Sequence, residues 1–238
     1  MLDFVAVGDV MLDVRLPAAP AAPRQHGVIT AGAAGSAINA ARAAARLGAS
    51  VAVVGAIGDD SVGKVVELEV EASGIEPRLV RIDAATTGVV VYSRDSVVAD
   101  RGANLHFLPD ELPAARVTLV SGYLPDAARE RALELAQGLR AVDLQGVLDD
   151  APGADVVLGP SLDVAALAGR HAVVCSTLAA EGAEATRGEE HVRVAPARIL
   201  SSSPIGAGDA FAAAFLLGLA DRLPLEDCLR RGCEAALL

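Results

Sequence analysis

The sequence contains no tryptophan, a single lysine and few aromatic residues of any kind. Because 53% of the residues are hydrophobic and only 3% are aromatic, the core has to be built from aliphatic side chains. The one lysine, Lys64, does not follow the glycine pattern of a Walker A loop, which excludes a P-loop nucleotide-binding protein. Any group that binds phosphate in this chain must therefore be a backbone amide, an arginine or a metal ion.

Cysteine and histidine are also scarce. The three cysteines show no metal-ligand spacing, and an odd number of them suits a reducing compartment better than a disulfide framework. The four histidines are dispersed along the chain, so we expect no metal site built from them. We interpret all seven side chains as structural or exposed: Cys175, Cys228, Cys233, His26, His106, His171 and His191.

Positive charge is in deficit, with a formal net charge of -11 at pH 7. This balance argues against a nucleic-acid or anionic-membrane partner, because phosphate surfaces demand clustered positive charge. The first residues lack the basic region of a signal peptide, and the longest apolar stretch, Ala210 to Ala220, is shorter than the roughly 20 residues that span a bilayer. We therefore expect a soluble, cytoplasmic protein.

Strand and helix patterns alternate along the 238 residues, which predicts an α/β fold with a mostly parallel sheet covered by helices. We expect one domain spanning 1–238, with no internal repeat or linker. The predicted strands are Phe4–Val7, Val51–Val54, Val117–Val120, Ala141–Leu144, Val156–Leu158 and Val173–Cys175. The predicted helices are Ser36–Leu47, Val62–Ser73, a segment with Ala128, Ala132, Leu135 and Leu139 on one face, Ala210–Ala220, and one that begins near Leu225.

Two regions depart from this alternation. The segment from Asp13 to Gly32 contains three prolines and is predicted to be irregular and exposed. The segment from Arg78 to Leu108 alternates short β-like runs with turns, of which Val89–Tyr92 and Val97–Val98 are the clearest. Arg187-Gly188-Glu189 is typical of a hairpin turn between two extended runs.

The stretch from Ser203 to Phe211 carries the strongest chemical pattern in the chain. It places Gly206, Gly208 and Asp209 where a loop turns into an apolar helix. Unpaired backbone N–H groups at such a start attract an anion, and a glycine-rich approach lets a phosphoryl group come close to them. Asp209 could then accept a proton from an attacking hydroxyl. The alternative is a turn in which Asp209 only caps the helix.

Other segments join this one in a recognisable order. They are Gly8-Asp9 with Asp13, Ala34-Gly35-Ser36-Ala37-Ile38-Asn39, Val54 to Asp60 with Gly63, Thr177-Leu178 with Gly182-Ala183, and Gly206 to Asp209. Together they resemble the motifs of the ribokinase-like, or PfkB, carbohydrate kinase family. Asp59 and Asp60 also fit a plain structural role in a turn and a helix cap.

The resemblance implies a three-layer sandwich with a mostly parallel central sheet, plus a small, abbreviated β lid formed by about 13–33 and 86–108. It implies ATP and Mg²⁺ as cofactors, a sugar as substrate, and a homodimer formed through the lid. The site residues it implies fall into three groups. The catalytic group is Asp209, Gly206, Ala207 and Gly208; the substrate-binding group is Asp13, Gly35, Asn39, Arg101 and Asn104; and the nucleotide-binding group is Thr177, Gly182, Gly206 and Gly208.

Plain structural roles stay open for several of these residues. Asp13 fits a turn carboxylate, Arg101 and Asn104 fit a solvated turn, and Thr177 with Gly182 fits a strand end followed by a loop. No protein ligand to a metal is predicted. Asp143-Leu144-Gln145 resembles the family's Asp-x-Asn element at a strand end, with glutamine in place of asparagine.

The chain departs from the family pattern mainly on the nucleotide side. Ser203, Ile205 and Ala179 replace the usual aspartate, threonine and glycine, and only Asp163 survives of the Asn-x-x-Glu element. Ala34 replaces the first glycine of the Gly-Gly pair. The leading hypothesis is an ATP-dependent sugar kinase, and the alternative is a degenerate homologue that binds sugar or nucleotide without turnover. A Rossmann-type protein is disfavoured because no Gly-x-Gly-x-x-Gly follows the first strand.

Overall fold

Strands and helices alternate through most of the chain, as the sequence patterns predict. The computed structural model describes residues 1–16, 27–93, 96–196 and 205–237. The strands are β1 (Leu2–Val7), β2 (Met11–Arg15), β3 (Thr30–Ala34), β4 (Val51–Gly58), β5 (Glu76–Ile82), β6 (Gly88–Tyr92), β7 (Val97–Asp100), β8 (Ala115–Ser121), β9 (Leu139–Asp143), β10 (Val156–Pro160), β11 (Val173–Thr177), β12 (Ala183–Arg187) and β13 (Glu190–Val194). The helices are α1 (Ser36–Arg46), α2 (Ser61–Ala72), α3 (Asp126–Leu135), α4 (Val164–Leu167), α5 (Ala207–Ala220) and α6 (Leu225–Ala235).

A nine-stranded sheet forms the centre of the molecule, in the order β13-β12-β11-β10-β9-β8-β1-β4-β5. Its strands are parallel from β5 through β11, and only β12 and β13 run antiparallel to their neighbours. All eight residues of β4 are buried, as expected for a parallel strand covered on both faces. The predicted α/β class with a mostly parallel sheet is confirmed.

Helices cover both faces of this sheet and divide the core in two. Along β1, Phe4 and Ala6 pack in one hydrophobic cluster with α1, α5 and α6, whereas Val5 and Val7 pack in a second cluster with α3 and α4. This division follows from the period of two, which sends successive side chains of a strand to opposite faces. Among the described residues, no helix is long and apolar enough to cross a membrane. The cytoplasmic location stays a prediction.

A second, four-stranded sheet in the order β3-β2-β6-β7 lies within the two segments expected to form a lid. We call it the lid sheet. Strand β2 pairs antiparallel with β3 and parallel with β6, and β6 pairs antiparallel with β7. The expectation of an irregular segment from Asp13 to Gly32 is therefore wrong at both of its ends, and residues 17–26 lie outside the described part. Pairing of two lids in a homodimer stays a prediction.

Three local predictions need correction or extension. Leu139 begins strand β9 rather than continuing a helix, because α3 ends at Leu135 and Gly138 adopts φ 75°. Strand β5 was not predicted as a strand of the central sheet, because its charged residues interrupt the apolar pattern of a buried strand. A strand at the edge of a sheet tolerates such residues, because its unpaired edge faces water. Helix α5 begins at Ala207, three residues before the apolar run. The predicted hairpin at Arg187-Gly188-Glu189 is confirmed by the pairing of β12 with β13.

Candidate active site

Asp209 lies in the first turn of α5, and its side chain does not cap that helix. Gly206 occupies the N-cap position in the left-handed conformation, with φ 86°, and no side chain among the described residues caps the helix start. A Cβ at Gly208 would meet no atom of the described residues within 4 Å. The backbone N–H groups of Gly206, Ala207 and Gly208 thus belong to an uncapped helix start, which favours an anion. The interpretation of Asp209 as a plain helix cap is wrong.

Two side chains from distant parts of the sequence hold the Asp209 carboxylate. The amide of Asn39, on α1, donates to Asp209 Oδ2 at 3.0 Å. The amide of Gln145, two residues beyond β9, donates to Asp209 Oδ1 at 3.4 Å. Because each amide engages a different oxygen, the carboxylate is fixed in orientation, as a general base requires.

Gln145 also contacts a second acidic side chain, Asp143, at the end of β9. The Gln145 amide donates to Asp143 Oδ2 at 2.8 Å, and its backbone N–H donates to Oδ1 at 3.1 Å. Burial raises the pKa of Asp143 to about 7, and the nearby Asp209 carboxylate contributes to the same shift. Burial also raises the pKa of Asp209 to about 6, against the lowering effect of its hydrogen bonds from Asn39 and Gln145. Two coupled carboxyl groups therefore titrate near neutral pH.

A cavity of about 210 Å³ lies between α1 and the lid sheet. Asn39 lines the cavity and donates to Asp209, so it connects the two features. Asp13, in β2, is 4% exposed, and its Oδ2 pairs with Arg15 Nη2 at 3.4 Å. Burial raises the pKa of Asp13, and Arg15 partly offsets that shift. The lining residues are Asp13, Arg15, Thr30, Ala31, Gly32, Ala33, Ala34, Asn39 and Arg42.

Gly35 serves close packing in this structure. It precedes α1 with φ 108°, and a Cβ added there would lie 2.2 Å from the backbone oxygen of Asp9. No side chain other than hydrogen fits at that distance, so glycine lets the start of α1 approach the end of β1. This contact brings Asn39, one turn later, to the cavity.

Arg101 and Asn104 hold the chain that follows β1, and their contact with a substrate stays a prediction. Arg101 forms a bidentate ion pair with the buried Asp9, in which Nε donates to Oδ2 at 2.9 Å and Nη2 donates to Oδ1 at 2.8 Å. Asn104 has no exposed surface, and its amide exchanges hydrogen bonds with the backbone N–H and carbonyl of Val10. Neither residue lines the cavity that contains Asp13 and Asn39.

Thr177 and Gly182 lie at the end of β11, farther along the same edge of the sheet. Thr177 is half-buried and its carbonyl accepts from Ser161 N at 3.0 Å. Gly182 adopts φ 97°, and a Cβ there would lie 2.0 Å from the backbone oxygen of Val194. Glycine is therefore required by the fold at this position, beside any contact with a nucleotide.

Comparison with known proteins identifies the family of this chain. A model of the pfkB family carbohydrate kinases matches residues 1–168 and 160–238, which together span the chain. The chain belongs to this family. A ribokinase from Bacillus subtilis (strain 168) is 27% identical over 237 residues, covering 86% of this chain and 80% of that protein. The resemblance inferred from the motifs is confirmed.

Solved structures of pfkB-like kinases share the fold. A probable sugar kinase from Rhizobium etli CFN 42 and an adenosine kinase from Sinorhizobium meliloti each superpose with a TM-score of 0.82 at 23% identity, covering 99% of this chain and 92% of theirs. A ribokinase from Arabidopsis thaliana, complexed with ribose and ATP, gives a TM-score of 0.79 at 19% identity, covering 99% of this chain and 91% of that one. At these identities the likeness establishes the ribokinase-like fold.

The departures from the family pattern have structural counterparts. Asp163, the surviving acidic residue of the Asn-x-x-Glu element, accepts from the N–H groups of Ala165 and Ala166 and so caps α4. Ala179, which replaces a glycine, adopts φ 51° in the left-handed region that favours glycine. Ile205 is 49% exposed beside the start of α5, and Ser203 lies outside the described residues.

Sequence reasoning missed two residues of this site. Gln145 was noted only as a variant of a family element, although it joins both acidic side chains. Arg42 was overlooked, because an arginine in an alanine-rich helix is typical of any exposed helix face. Helical spacing offered a clue, since Arg42 lies three residues after Asn39 and shares its face.

Proposed function

We propose that this protein transfers the γ-phosphoryl group of ATP to a hydroxyl group of a sugar or a sugar-like alcohol. The observation that carries the proposal is the shared position of Asn39. Its side chain lines the cavity that contains Asp13 and also donates to Asp209 at the uncapped start of α5. In this proposal, a hydroxyl group bound at the Asn39 end of the cavity is directed toward a fixed carboxylate and toward backbone amides that favour an anion.

The chemistry follows from these positions. Asp209 accepts the proton of the acceptor hydroxyl as its oxygen bonds to the γ-phosphorus, and the bond from that phosphorus to the β-phosphate oxygen breaks to release ADP. The N–H groups of Gly206, Ala207 and Gly208 face the charge on the phosphoryl oxygens during transfer. Asp13 and Asn39 orient the acceptor, because a carboxylate and an amide suit pairs of hydroxyl groups.

Magnesium fits this site only as a partner of the nucleotide. Within the described ranges, no cluster of three or more His, Cys, Asp or Glu side chains is placed to hold a metal ion. Magnesium retains water and phosphate ligands readily, so an ion that arrives with ATP needs few protein ligands. Bound there, it would neutralise charge on the phosphates.

The proposal is tested by Asp209→Asn, which keeps the shape of the side chain but removes the base. We expect ADP release to fall by about 10²- to 10⁴-fold, the usual contribution of a general base, with ATP binding retained. Asp126→Asn is the matched control, because Asp126 also lies in the first turn of a helix but is 82% exposed. Equal turnover by Asp209→Asn and the wild type would reject Asp209 as the base.

A second candidate is a homologue that binds sugar or nucleotide without turnover. It is favoured by the use of Asp163 as a helix cap and by alanine at the left-handed position 179. An assay of ADP release over a panel of sugars and nucleosides, with ligand binding measured in parallel, separates the two candidates. Binding of both ligands with no ADP released would support the non-catalytic homologue.

A further inference from the structure

Two guanidinium groups line the cavity that Asn39 connects to Asp209. Arg15 projects from β2 and Arg42 from α1, so the two charges reach the cavity from different elements. Among the described residues of the lining, Asp13 is the one acidic side chain. Asp13 pairs with Arg15, and Glu69, just outside the lining, lies within ion-pair distance of Arg42. The planar N–H donors of two guanidinium groups in one cavity suit the oxygens of an anionic ligand.

The described residues engage only part of the hydrogen-bonding capacity of these arginines. Arg15 contacts Asp13 through Nη2 at 3.4 Å. Arg42 donates through Nη1 to the Ala33 carbonyl, and its Nη2 lies 4.0 Å from Glu69. Glu69 is itself engaged by the backbone N–H of Ala33 at 2.6 Å. Since a guanidinium carries five N–H donors, each arginine retains donors for a ligand.

The rest of the lining limits the kind of ligand. Asp13 and Asn39 suit hydroxyl groups, and no aromatic side chain lines this cavity among the described residues, so a nucleobase would find no stacking surface. The volume of about 210 Å³ is below the range of about 300–1,000 Å³ found for drug-sized ligands. A small polar molecule with several hydroxyl groups fits both features.

We propose that the acceptor is a monosaccharide-sized alcohol that carries an anionic substituent, a carboxylate or a phosphate, bound by Arg15 and Arg42. This inference rests on the proposed function, and it names the substrate class of the same site. The hydroxyl end of the acceptor faces Asp13 and Asn39, beside Asp209. The anionic end engages the two guanidinium groups, whose planar donors match the oxygens of either substituent.

A purely structural role for the arginines makes a different prediction. Arg42 joins α1 to the lid sheet through Ala33, and Arg15 lies 5.8 Å from the centre of the Tyr92 ring. If these contacts were their whole function, removing an arginine would weaken the binding of neutral and anionic sugars equally. The ratio of the two affinities therefore tests the proposal.

The experiment measures binding and ADP release for three related ligands: a neutral hexose, its sugar acid and its monophosphate. Calorimetry with the full chain should give at least one anionic ligand an affinity about ten- to a hundredfold above that of the neutral hexose, as charge-assisted hydrogen bonds allow. Arg42→Met and Arg15→Met should each reduce that ratio about tenfold or more. The carboxylate and phosphate arms identify which anion is preferred.

Arg46→Met is the matched control. Arg46 is an exposed residue one turn beyond Arg42 on the same helix, and its removal changes the net charge equally without altering the cavity lining. We expect the affinity ratio of the control to equal that of the wild type. If Arg42→Met does not fold, Arg15→Met still tests the proposal. The Arg15 side chain is 50% exposed, so its replacement leaves little buried surface unfilled.

The outcomes distinguish this inference from the proposed function. Selective binding of an anionic sugar without ADP release would support the substrate class and overturn the kinase proposal. ADP release with neutral sugars, at equal or higher efficiency than with anionic ones, would support the kinase and overturn the substrate class. Equal loss of neutral and anionic binding in both arginine variants would also overturn the substrate class.

Discussion

The two sides of the candidate site are built by different means. On the acceptor side, defined here by Asp13, Arg15, Asn39 and Arg42, charged and amide side chains from β2 and α1 converge on one cavity. On the nucleotide side, defined here by Thr177, Gly182 and the start of α5, the distinctive features are main-chain conformations. Gly182 and Gly206 have φ values of 97° and 86°.

This difference teaches which kind of change should affect each side. Under the proposed function, the acceptor side should respond to the loss of a charge or an amide, because those groups would contact the acceptor. The nucleotide side responds to the loss of backbone freedom, because only glycine adopts its conformations without strain. Side-chain variants on the acceptor side and glycine variants on the nucleotide side therefore test whether the two sides act separately.

Asp13→Asn should have the largest effect among the variants of this comparison. Asp13 is 4% exposed and lines the cavity, so the substitution removes a carboxylate that the proposed function places against the acceptor. We expect kcat/KM for the acceptor to fall by about 10²-fold, with the KM for ATP unchanged, since a hydrogen bond to a charged group contributes about 1.5–3 kcal/mol. Steady-state kinetics with each substrate varied in turn measures this. An increase in the KM for ATP alone would break the division into two sides.

Gly182→Ala tests the nucleotide side. The added Cβ would lie 2.0 Å from the Val194 carbonyl oxygen at φ 97°, so the loop must shift. We expect a loss of about 2–3 kcal/mol in the free energy of unfolding, and weaker ATP binding with unchanged acceptor binding. Gly188→Ala is the control, because Gly188 also has a positive φ of 61° but a Cβ there would meet no described residue within 4 Å. Denaturant unfolding and calorimetry check both variants.

Asp143→Asn should change how stability depends on pH. Burial raises the pKa of Asp143 from its ordinary value of 3.8 to about 7, so the folded state binds the proton more tightly than the unfolded state. The contribution of Asp143 to stability is therefore greatest at low pH and falls as pH rises from about 4 to about 7. Asparagine removes the charge. We therefore expect the difference in free energy of unfolding, Asp143→Asn minus wild type, to be about 2 kcal/mol larger at pH 8 than at pH 5. Unfolding curves for both proteins at the two pH values test this expectation, and a constant difference would contradict it.

Gln145→Ala should have the smallest effect and alter the pH profile more than the rate. The Gln145 amide stabilises the ionised forms of Asp143 and Asp209, so its loss raises the pKa of the base. We expect the acidic limb of the kcat/KM profile to move to higher pH, with activity at pH 8 reduced by less than about tenfold. A uniform loss at every pH would instead show that Gln145 only supports the local structure.

Much of the site was predictable because its motifs combine a backbone requirement with a reactive side chain. The glycines before Asp209 predicted an uncapped helix start, and the structure has one at Gly206. The structural contacts of Arg101 and Asn104 were not predictable, for a physical reason. A polar residue in a turn looks the same in sequence whether it faces a ligand or, like Asn104, satisfies a buried backbone segment.

The sequence by itself determined the α/β class, the alternation of buried strands and amphipathic helices, and the glycines that shape the start of α5, because these depend on local periodicity and backbone conformation. Tertiary structure alone decided that Asn39 and Gln145, which are 170 and 64 residues away from Asp209 respectively, hold its two carboxylate oxygens. It also decided that Arg15 and Arg42 share one cavity with Asp13. Contacts between residues so far apart in sequence depend on which strand ends and helix starts meet at one edge of the sheet. No local sequence pattern encodes that strand order.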